Sequence, residues 1–353
     1  MPAAYLIRAT TLCTLLAAAT LAAASLAPAP LAAQSPPPAP AALASRLTRL
    51  LDTLAAADRF AGVVLLAKEG RPVFERAYGL ADREKGRPND LGTRFNLGSI
   101  NKLFTTIAIR QLAAAGTLQL DSTLAYAWPD YPNPDVARRV TIRQLLEHRS
   151  GVDGDIFAAP ASGNRAALRR LRDFLPLFVD APLAFAPGTQ QRYSNAGYVV
   201  LGLLIERVTG QPYYDYVREH VYAPAGMTQT AHDAKDSLAP NTAIPYTRGW
   251  PAAPESTPAR RADDELPGRG SSAGGGYSNA TDLLRFIRAA RAGKIPGAPV
   301  GRGFGVAGGT RGVNSVIESG LPGGYDLIVL TNLDPPAAQR VAREVRGWLG
   351  ARE

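Results

Sequence analysis

The sequence has few of the residues that hold disulfides and metals. Its 353 residues include one cysteine, Cys13, and three histidines, His148, His220 and His232. A single cysteine cannot form an internal disulfide or a thiolate metal cluster. No His-Glu-x-x-His motif and no paired-cysteine spacing is present, which argues against a zinc enzyme. Disulfide-stapled and metal-centred folds are therefore disfavoured.

Long apolar runs are also scarce, and the first 33 residues contain the one that matters. Arg8 precedes an uncharged Ala- and Leu-rich run that ends in Leu31-Ala32-Ala33. This pattern is typical of a secretory signal peptide over residues 1–33. The alternative is an uncleaved anchor helix, which Pro28 and Pro30 disfavour. No later stretch reaches the roughly 20 apolar residues of a membrane span. We expect a periplasmic or secreted protein with no membrane span after signal removal.

Acidic residues are outnumbered by basic ones. The chain has 39 Lys plus Arg against 30 Asp plus Glu, a formal net charge of +9, and 34 of the basic residues are arginines. They are scattered in short pairs such as Arg138-Arg139, without interleaved aromatic residues, so a nucleic-acid partner is not expected. The excess positive charge suggests a mild attraction to an anionic cell-envelope polymer.

Strand and helix patterns at the two ends of the chain predict the fold class. We expect an α+β fold in which one antiparallel sheet is built from both termini and flanked by N- and C-terminal helices. The elements are a Pro-rich linker (34–41), a helix (Ala42–Ala57), a hairpin (Gly62–Ala67 and Pro72–Ala77), two late strands (Val313–Ser319 and Tyr325–Asn332) and a closing helix (Pro336–Gly350).

The middle of the chain is predicted to form a mainly helical insertion lobe. This interpretation divides the domain over 42–353 into a sheet lobe (42–98 and 270–353) and a helical lobe (99–269). Trp250–Ser272 is rich in Pro and Gly and is predicted to be a long loop. Helical patterns occur at Ser99–Ala115, Thr141–Glu147, Ala166–Phe178, Ala196–Thr209, Tyr213–Val221 and, beyond the loop, Ala280–Gly293.

A Ser-x-x-Lys pair carries the first chemical signal. Ser99 and Lys102 lie three residues apart at the start of a predicted helix, so both side chains share one face. A lysine whose pKa is lowered by burial can remove the proton from a serine hydroxyl and make it a nucleophile. The helix start adds a backbone N–H that can hold an oxyanion. The alternative for an isolated match is an N-capping serine beside a solvated lysine.

A Tyr-x-Asn pair carries the second signal. Tyr193 and Asn195 lie just before the helical run that starts at Ala196. A phenol there can exchange protons with a leaving group, and an amide can orient a substrate or Lys102. The alternative is a packed tyrosine and a turn asparagine.

Together and in this order, these segments resemble the serine β-lactamase and penicillin-binding-protein superfamily, specifically its class C-like branch of β-lactamases, esterases and D-amino-acid peptidases. The resemblance runs from about Ala56 to the C-terminus. The matching segments are Phe95-Asn-Leu-Gly-Ser99-Ile-Asn-Lys102, Leu145-Leu-Glu-His148-Arg-Ser-Gly151, Pro187-Gly-Thr-Gln-Gln-Arg-Tyr193-Ser-Asn195-Ala-Gly-Tyr198, Ala225-Gly-Met-Thr228 and Ser272-Ala-Gly-Gly-Gly-Tyr-Ser278.

The resemblance implies a serine hydrolase that acts through an acyl-enzyme without a metal or organic cofactor. Ser99 would be the nucleophile, Lys102 its base partner and Tyr193 the second proton-transfer group. Asn195 would contact the substrate or Lys102. His148 would lie on a structural segment, outside the catalytic set. The substrate would be a small-molecule ester or a peptide-like amide.

One departure from the family pattern affects the substrate. The family's third motif, Lys- or His-x-Gly, is matched by Val306-Ala-Gly308-Gly309, which puts Val306 at the cationic position. Gly308 and Gly309 would still line the substrate site, with the Gly309 N–H on the oxyanion. Arg311 is a candidate replacement cation, although a solvated loop arginine is the simpler interpretation.

The expected function is hydrolysis of a neutral ester or amide, because penicillins and D-Ala-D-Ala peptides carry a carboxylate that requires a cation. The alternatives are a β-lactamase or D-Ala-D-Ala carboxypeptidase, and a non-catalytic envelope-binding relative. An α/β-hydrolase is disfavoured because the chain has no Gly-x-Ser-x-Gly motif.

Overall fold

A computed structural model describes residues 39–350, except residues 155, 157–162, 255, 300 and 302. The predicted signal peptide and most of the predicted linker lie outside these residues. The last two linker residues, Pro40 and Ala41, belong to the first helix instead, which begins at Pro40. Proline is tolerated there because the first N–H groups of a helix have no partner within it.

The helices and strands follow the predicted order. The helices are α1 (Pro40–Ala56), α2 (Asn101–Ala114), α3 (Leu124–Ala127), α4 (Pro134–Arg139), α5 (Ile142–Leu146), α6 (Leu171–Phe174), α7 (Asn195–Thr209), α8 (Tyr213–Val217), α9 (Ala223–Ala225), α10 (Ala280–Arg291) and α11 (Ala337–Leu349). The strands are β1 (Gly62–Lys68), β2 (Arg71–Tyr78), β3 (Leu80–Asp82), β4 (Arg87–Pro88), β5 (Phe95–Asn96), β6 (Tyr246–Thr247), β7 (Arg260–Arg261), β8 (Tyr277–Ser278), β9 (Phe304–Thr310), β10 (Val313–Leu321) and β11 (Tyr325–Thr331).

The central sheet joins the two ends of the domain, as predicted. Its strand order is β2-β1-β11-β10-β9, and every neighbouring pair is antiparallel. Alternate residues of β1 serve opposite cores because successive side chains of a strand point to opposite faces. Val63 and Leu65 join the core that contains α2 and α7, whereas Val64 and Leu66 join the core that contains α1 and α11. The α+β expectation is confirmed.

The two terminal helices cover one face of the sheet. Their buried side chains recur every three or four residues, which places them on one side of each helix. Such burial of leucine and valine stabilises the fold by roughly 1.5–3 kcal/mol per side chain. The residues are Leu43, Leu47, Leu51 and Leu54 of α1, and Ala338, Val341, Ala342, Val345 and Leu349 of α11.

The helical segments pack on the other face, and ten consecutive residues of α7, Ala196 to Ile205, are buried. The Ser194 side chain caps its start by accepting a hydrogen bond from the Gly197 N–H (2.9 Å), and Gly210 ends it with φ 69°. In the described ranges, no helix has both the length and the hydropathy that crossing a membrane requires.

Three predicted segments differ in detail from the structure. The helix expected over Ala166–Phe178 divides into α6 and two 3₁₀ turns. Proline at 176 contributes to this break because it has no N–H to donate. The run over Tyr213–Val221 is α8 followed by a π-helical turn. The loop over Trp250–Ser272 contains β7, which pairs with β6.

The edge strand β9 lies against the turn that precedes α2. It pairs with β10 along its whole length, and its first two residues, Phe304 and Gly305, precede Val306. A Cβ placed on Gly308 would lie 2.0 Å from the Leu97 carbonyl oxygen, and a Cβ on Gly98, which has φ 51°, would lie 2.8 Å from the Gly309 nitrogen. The contact is therefore one between two backbones, with no room for a side chain.

We predict that Gly308→Ala lowers the free energy of unfolding by about 1–3 kcal/mol, because an overpacked contact must separate or strain. Gly305→Ala is the matched control on the same strand. Its Cβ would meet only the Glu318 Cγ, at an ordinary 3.6 Å, and should change stability by less than about 0.5 kcal/mol. Urea unfolding of both variants measures the difference. Equal stabilities would show that the close contact is absent.

Candidate active site

Ser99 lies in a short turn that leads into α2. The turn is the 3₁₀ helix Gly98–Ile100. The Asn96 side chain anchors it by accepting a hydrogen bond from the Gly98 N–H (2.9 Å), and the Leu97 N–H donates to the Gly276 carbonyl (2.8 Å). The Ser99 N–H belongs to the first turn of a helical segment, where N–H groups have no partner within the helix.

Lys102 lies one turn after Ser99 on the same face, as the spacing predicted. Its Nζ is 3.3 Å from the Ser99 Oγ and 2.7 Å from the Asn195 Oδ1. It also donates to the carbonyl of Ala273. Asn195 and Ala273 are distant from Lys102 in the sequence, and their two oxygens hold the amine beside Ser99. The structure thus brings Asn195 to Lys102, one of its two predicted contacts.

The surroundings of Lys102 favour its neutral form. Its side chain is only 7% exposed, and burial lowers its pKa to about 7. The rings of Tyr193 and Tyr198 flank the amine, with centroids 4.7 and 5.5 Å from the Nζ. No carboxylate in the described ranges forms an ion pair with it. A large fraction of the amine is therefore uncharged near neutral pH.

Tyr193 contacts the same serine from the segment just before α7. Its hydroxyl donates a hydrogen bond to the Ser99 Oγ (2.7 Å). The loss of water around the hydroxyl raises its pKa above the ordinary value of 10.0, despite the opposing effect of the bond to Ser99. The phenol is therefore protonated near neutral pH and acts as a donor. Ser99 receives one contact from an acid and one from a base.

His148 supports Tyr193 without touching Ser99. Its ring lies 4.6 Å from the Tyr193 ring and 5.0 Å from the Tyr198 ring, and its Nδ1 accepts a hydrogen bond from the Ser194 N–H (3.1 Å). Burial, and then the charge of Lys102, lower its pKa to about 4. His148 is therefore a neutral ring that packs against Tyr193.

The backbone nitrogens of Ser99 and Gly309 both lie at the contact between β9 and the turn before α2. A Cβ on Gly308 would lie 2.7 Å from the Ser99 nitrogen, and a Cβ on Gly98 would lie 2.8 Å from the Gly309 nitrogen. The N–H groups of Ser99 and Gly309 therefore flank the same point of contact between β9 and the turn. A pair of donors of this kind is suited to a developing oxyanion.

The cationic position of the third motif is uncharged. Val306 of β9 packs against the hydrophobic core. Arg311 does not replace it, because its Nη1 pairs with Glu265 (2.9 Å) and its Nε donates to the Trp250 carbonyl (2.8 Å). Arg311 is therefore an exposed loop arginine, as expected, and its guanidinium is already paired with Glu265.

A cleft with about 590 Å³ of empty space, part of it open to solvent, passes Ser99 and Gly309. Its charged lining residues are Asp233, Lys235 and Arg269. The sequence patterns identified none of these three. Among the described residues, no cluster of three or more His, Cys, Asp or Glu side chains is arranged to hold a metal ion.

Known proteins resemble this chain in sequence and in fold. A family model described as Beta-lactamase matches residues 47–345. Esterase EstB of Burkholderia gladioli is 34% identical, and the match covers 71% of each chain. Penicillin-binding protein 4 of Amycolatopsis lactamdurans is 30% identical, over 67% of this chain and 61% of that protein.

Solved structures agree with this family match. A penicillin-binding protein from Bacillus halodurans superposes with a TM-score of 0.74 at 31% identity, over 84% of this chain and 98% of the other. D-amino acid amidase of Ochrobactrum anthropi has the same fold, with a TM-score of 0.70 at 22% identity, over 88% of this chain and 98% of the other. By its sequence and its fold, this chain belongs to the β-lactamase family, within the serine β-lactamase and penicillin-binding-protein superfamily.

Proposed function

We propose that this protein is a serine hydrolase that cleaves a carboxylic ester or amide through an acyl-enzyme on Ser99. One observation carries the proposal. The Ser99 Oγ lies 2.7 Å from the protonated hydroxyl of Tyr193 and 3.3 Å from the amine of Lys102, whose pKa burial lowers to about 7. A hydroxyl held between an acid and a partly neutral base is prepared for nucleophilic attack.

In the acylation step, the Ser99 Oγ bonds to the substrate carbonyl carbon and its proton moves to the neutral amine of Lys102. The N–H groups of Ser99 and Gly309 stabilise the negative charge that develops on the carbonyl oxygen. Tyr193 donates its proton to the departing oxygen or nitrogen, and the Lys102 ammonium returns a proton to the phenolate. The net transfer is one proton from the serine to the leaving group.

In the deacylation step, water takes the place of the leaving group. As the water oxygen attacks the acyl carbon, the neutral amine of Lys102 takes up its proton, directly or by relay through the Tyr193 hydroxyl. The Lys102 ammonium then gives a proton to the Ser99 Oγ as the bond between this oxygen and the acyl carbon breaks and the acid departs. Asn195 keeps the Lys102 amine in place through its hydrogen bond of 2.7 Å.

The third motif supports an ester or amide substrate over a penicillin. Val306 offers no charge to the carboxylate that penicillins and D-Ala-D-Ala peptides carry on the leaving-group side. Arg311 is paired with Glu265. The name of the relative EstB, an esterase, agrees with this preference.

The first test is covalent labelling of the purified chain. A fluorophosphonate should add to the peptide that contains Ser99, and Ser99→Ala should abolish the adduct. Ser237→Ala, which changes an exposed serine, should keep it. Mass spectrometry after parallel exposure to a penicillin separates the rivals. Adducts with both reagents would favour a β-lactamase or carboxypeptidase, and none with either would favour a non-catalytic binding relative.

Tyr193→Phe removes the proposed proton donor and keeps the ring that packs on His148. We expect kcat/KM for an amide or an alkyl ester to fall by about 10²–10⁴, the usual size of a general acid–base contribution. Tyr126→Phe is the control, because Tyr126 is 66% exposed. Similar activity in both variants, measured with equally stable proteins, would remove Tyr193 from the mechanism.

The pH profile of kcat/KM tests the role of Lys102. The amine acts as a base only when neutral, so activity should rise with pH through a pKa of about 7. Below that value it should fall about tenfold per pH unit. His148, whose pKa lies at about 4, contributes no limb in this range. A flat profile between pH 5 and pH 9 would contradict the assignment.

A further inference from the structure

The cleft beside Ser99 lies on the acyl side of the proposed reaction. Its lining includes Ser99 and Gly309 but none of Lys102, Tyr193 and Asn195. Since Tyr193 protonates the leaving group in the proposed mechanism, the leaving group lies toward Tyr193. The acyl group then extends the other way, into the cleft.

Most of the cleft lining is apolar. Ile156, Phe174, Leu266 and Tyr277 contribute to it. Such a lining suits a hydrocarbon chain, whose burial is favourable in proportion to the apolar area removed from water. The charged residues in the same lining then determine what the chain can carry.

Two of the three charged lining residues are held by contacts with the protein. Asp233 pairs with the guanidinium of Arg94 at 2.6 Å, and the Arg94 side chain is only 5% exposed, so the carboxylate is neutralised by a buried partner. Arg269 donates from its Nε to the His232 carbonyl (2.6 Å), and its guanidinium lies 3.7 Å from the centre of the Tyr214 ring.

Lys235 is the remaining charge, and its ammonium has no such contact. Within the described ranges it makes no side-chain hydrogen bond and no ion pair. The positive charge of Lys235 contributes to lowering the pKa of Asp263, but the Asp263 carboxylate already forms an ion pair with Arg261. The Lys235 N–H donates to the Gly268 carbonyl (2.8 Å), which fixes the backbone at the cleft wall. Neither Lys235 nor Arg269 has an ion-pair partner among the described residues, and of these two cleft cations only Lys235 also lacks a side-chain hydrogen bond.

We propose that Lys235 is a specificity residue that binds an acidic group on the acyl chain of the substrate. The preferred substrates are esters or amides whose apolar acyl chain ends in a carboxylate. A cation at position 306 would bind a carboxylate on the leaving group, and Val306 provides none. Lys235 lies on the proposed acyl side, so we expect the enzyme to recognise a carboxylate on the acyl group instead. This inference rests on the proposed function.

The test compares substrates that differ only in the end of the acyl chain. The pair is p-nitrophenyl hexanoate and the mono-p-nitrophenyl ester of adipic acid, which share a six-carbon acyl chain. The ratio of kcat/KM for the acidic ester to that for the neutral ester is measured for the full chain and for Lys235→Met. Loss of a charge-assisted contact predicts a fall in this ratio of about 10- to 100-fold, which is about 1.4–2.7 kcal/mol at about 1.36 kcal/mol per factor of ten.

Lys294→Met is the matched control. It removes the same charge from an exposed position after α10 and should keep the wild-type ratio. Any effect of a general loss of positive charge would appear in both variants. A third substrate, the hexanoate ester of 5-hydroxy-2-nitrobenzoate, places the carboxylate on the leaving group. Its kcat/KM relative to the neutral ester should be the same in wild type and Lys235→Met.

An unchanged adipate ratio in Lys235→Met would overturn the inference and leave the proposed function intact. A fall confined to the leaving-group carboxylate would overturn the assignment of the cleft to the acyl side. Failure of the wild-type chain to hydrolyse either p-nitrophenyl ester, together with no fluorophosphonate adduct on Ser99, would overturn the proposed function and this inference together.

Discussion

The burial of one amine determines how the site works. Lys102 is surrounded by the Ser99 hydroxyl, the Asn195 amide oxygen, the Ala273 carbonyl and two tyrosine rings. These groups offer hydrogen bonds but no full negative charge. An ammonium loses its hydration there without gaining a counterion, so its pKa falls to about 7. A carboxylate in place of Asn195 would reverse this effect and keep the lysine charged.

The second constraint is the close approach of β9 to the turn before α2. Two glycines, Gly98 and Gly308, let the strand and the turn meet at the backbone. The contact positions the N–H groups of Ser99 and Gly309 through rigid elements, since β9 is paired along its length with β10. An oxyanion site made of backbone groups does not depend on the side chain at 306, which explains how the proposed chemistry tolerates Val306.

Charge is distributed unevenly around the proposed nucleophile. On the β9 side, Val306 packs on the core and Arg311 pairs with Glu265. In the cleft, Asp233 is neutralised by Arg94, while Lys235 and Arg269 have no ion-pair partner among the described residues. The proposed reactive groups are thus present without a cation at the third-motif position, and changes of this kind let one fold host different activities.

The sequence by itself determined the α+β class, the long elements and the Ser99–Lys102 pair, because these follow from periodicity and from a three-residue spacing within one helix. It indicated Tyr193 only through resemblance, since 94 residues separate it from Ser99. Helix breaks such as the one between Ala166 and Phe178, the pairing of Arg311 and the place of Lys235 in the cleft were decided by the tertiary structure alone. A side chain's burial and its partners depend on which distant segments fold beside it, and no local pattern encodes that.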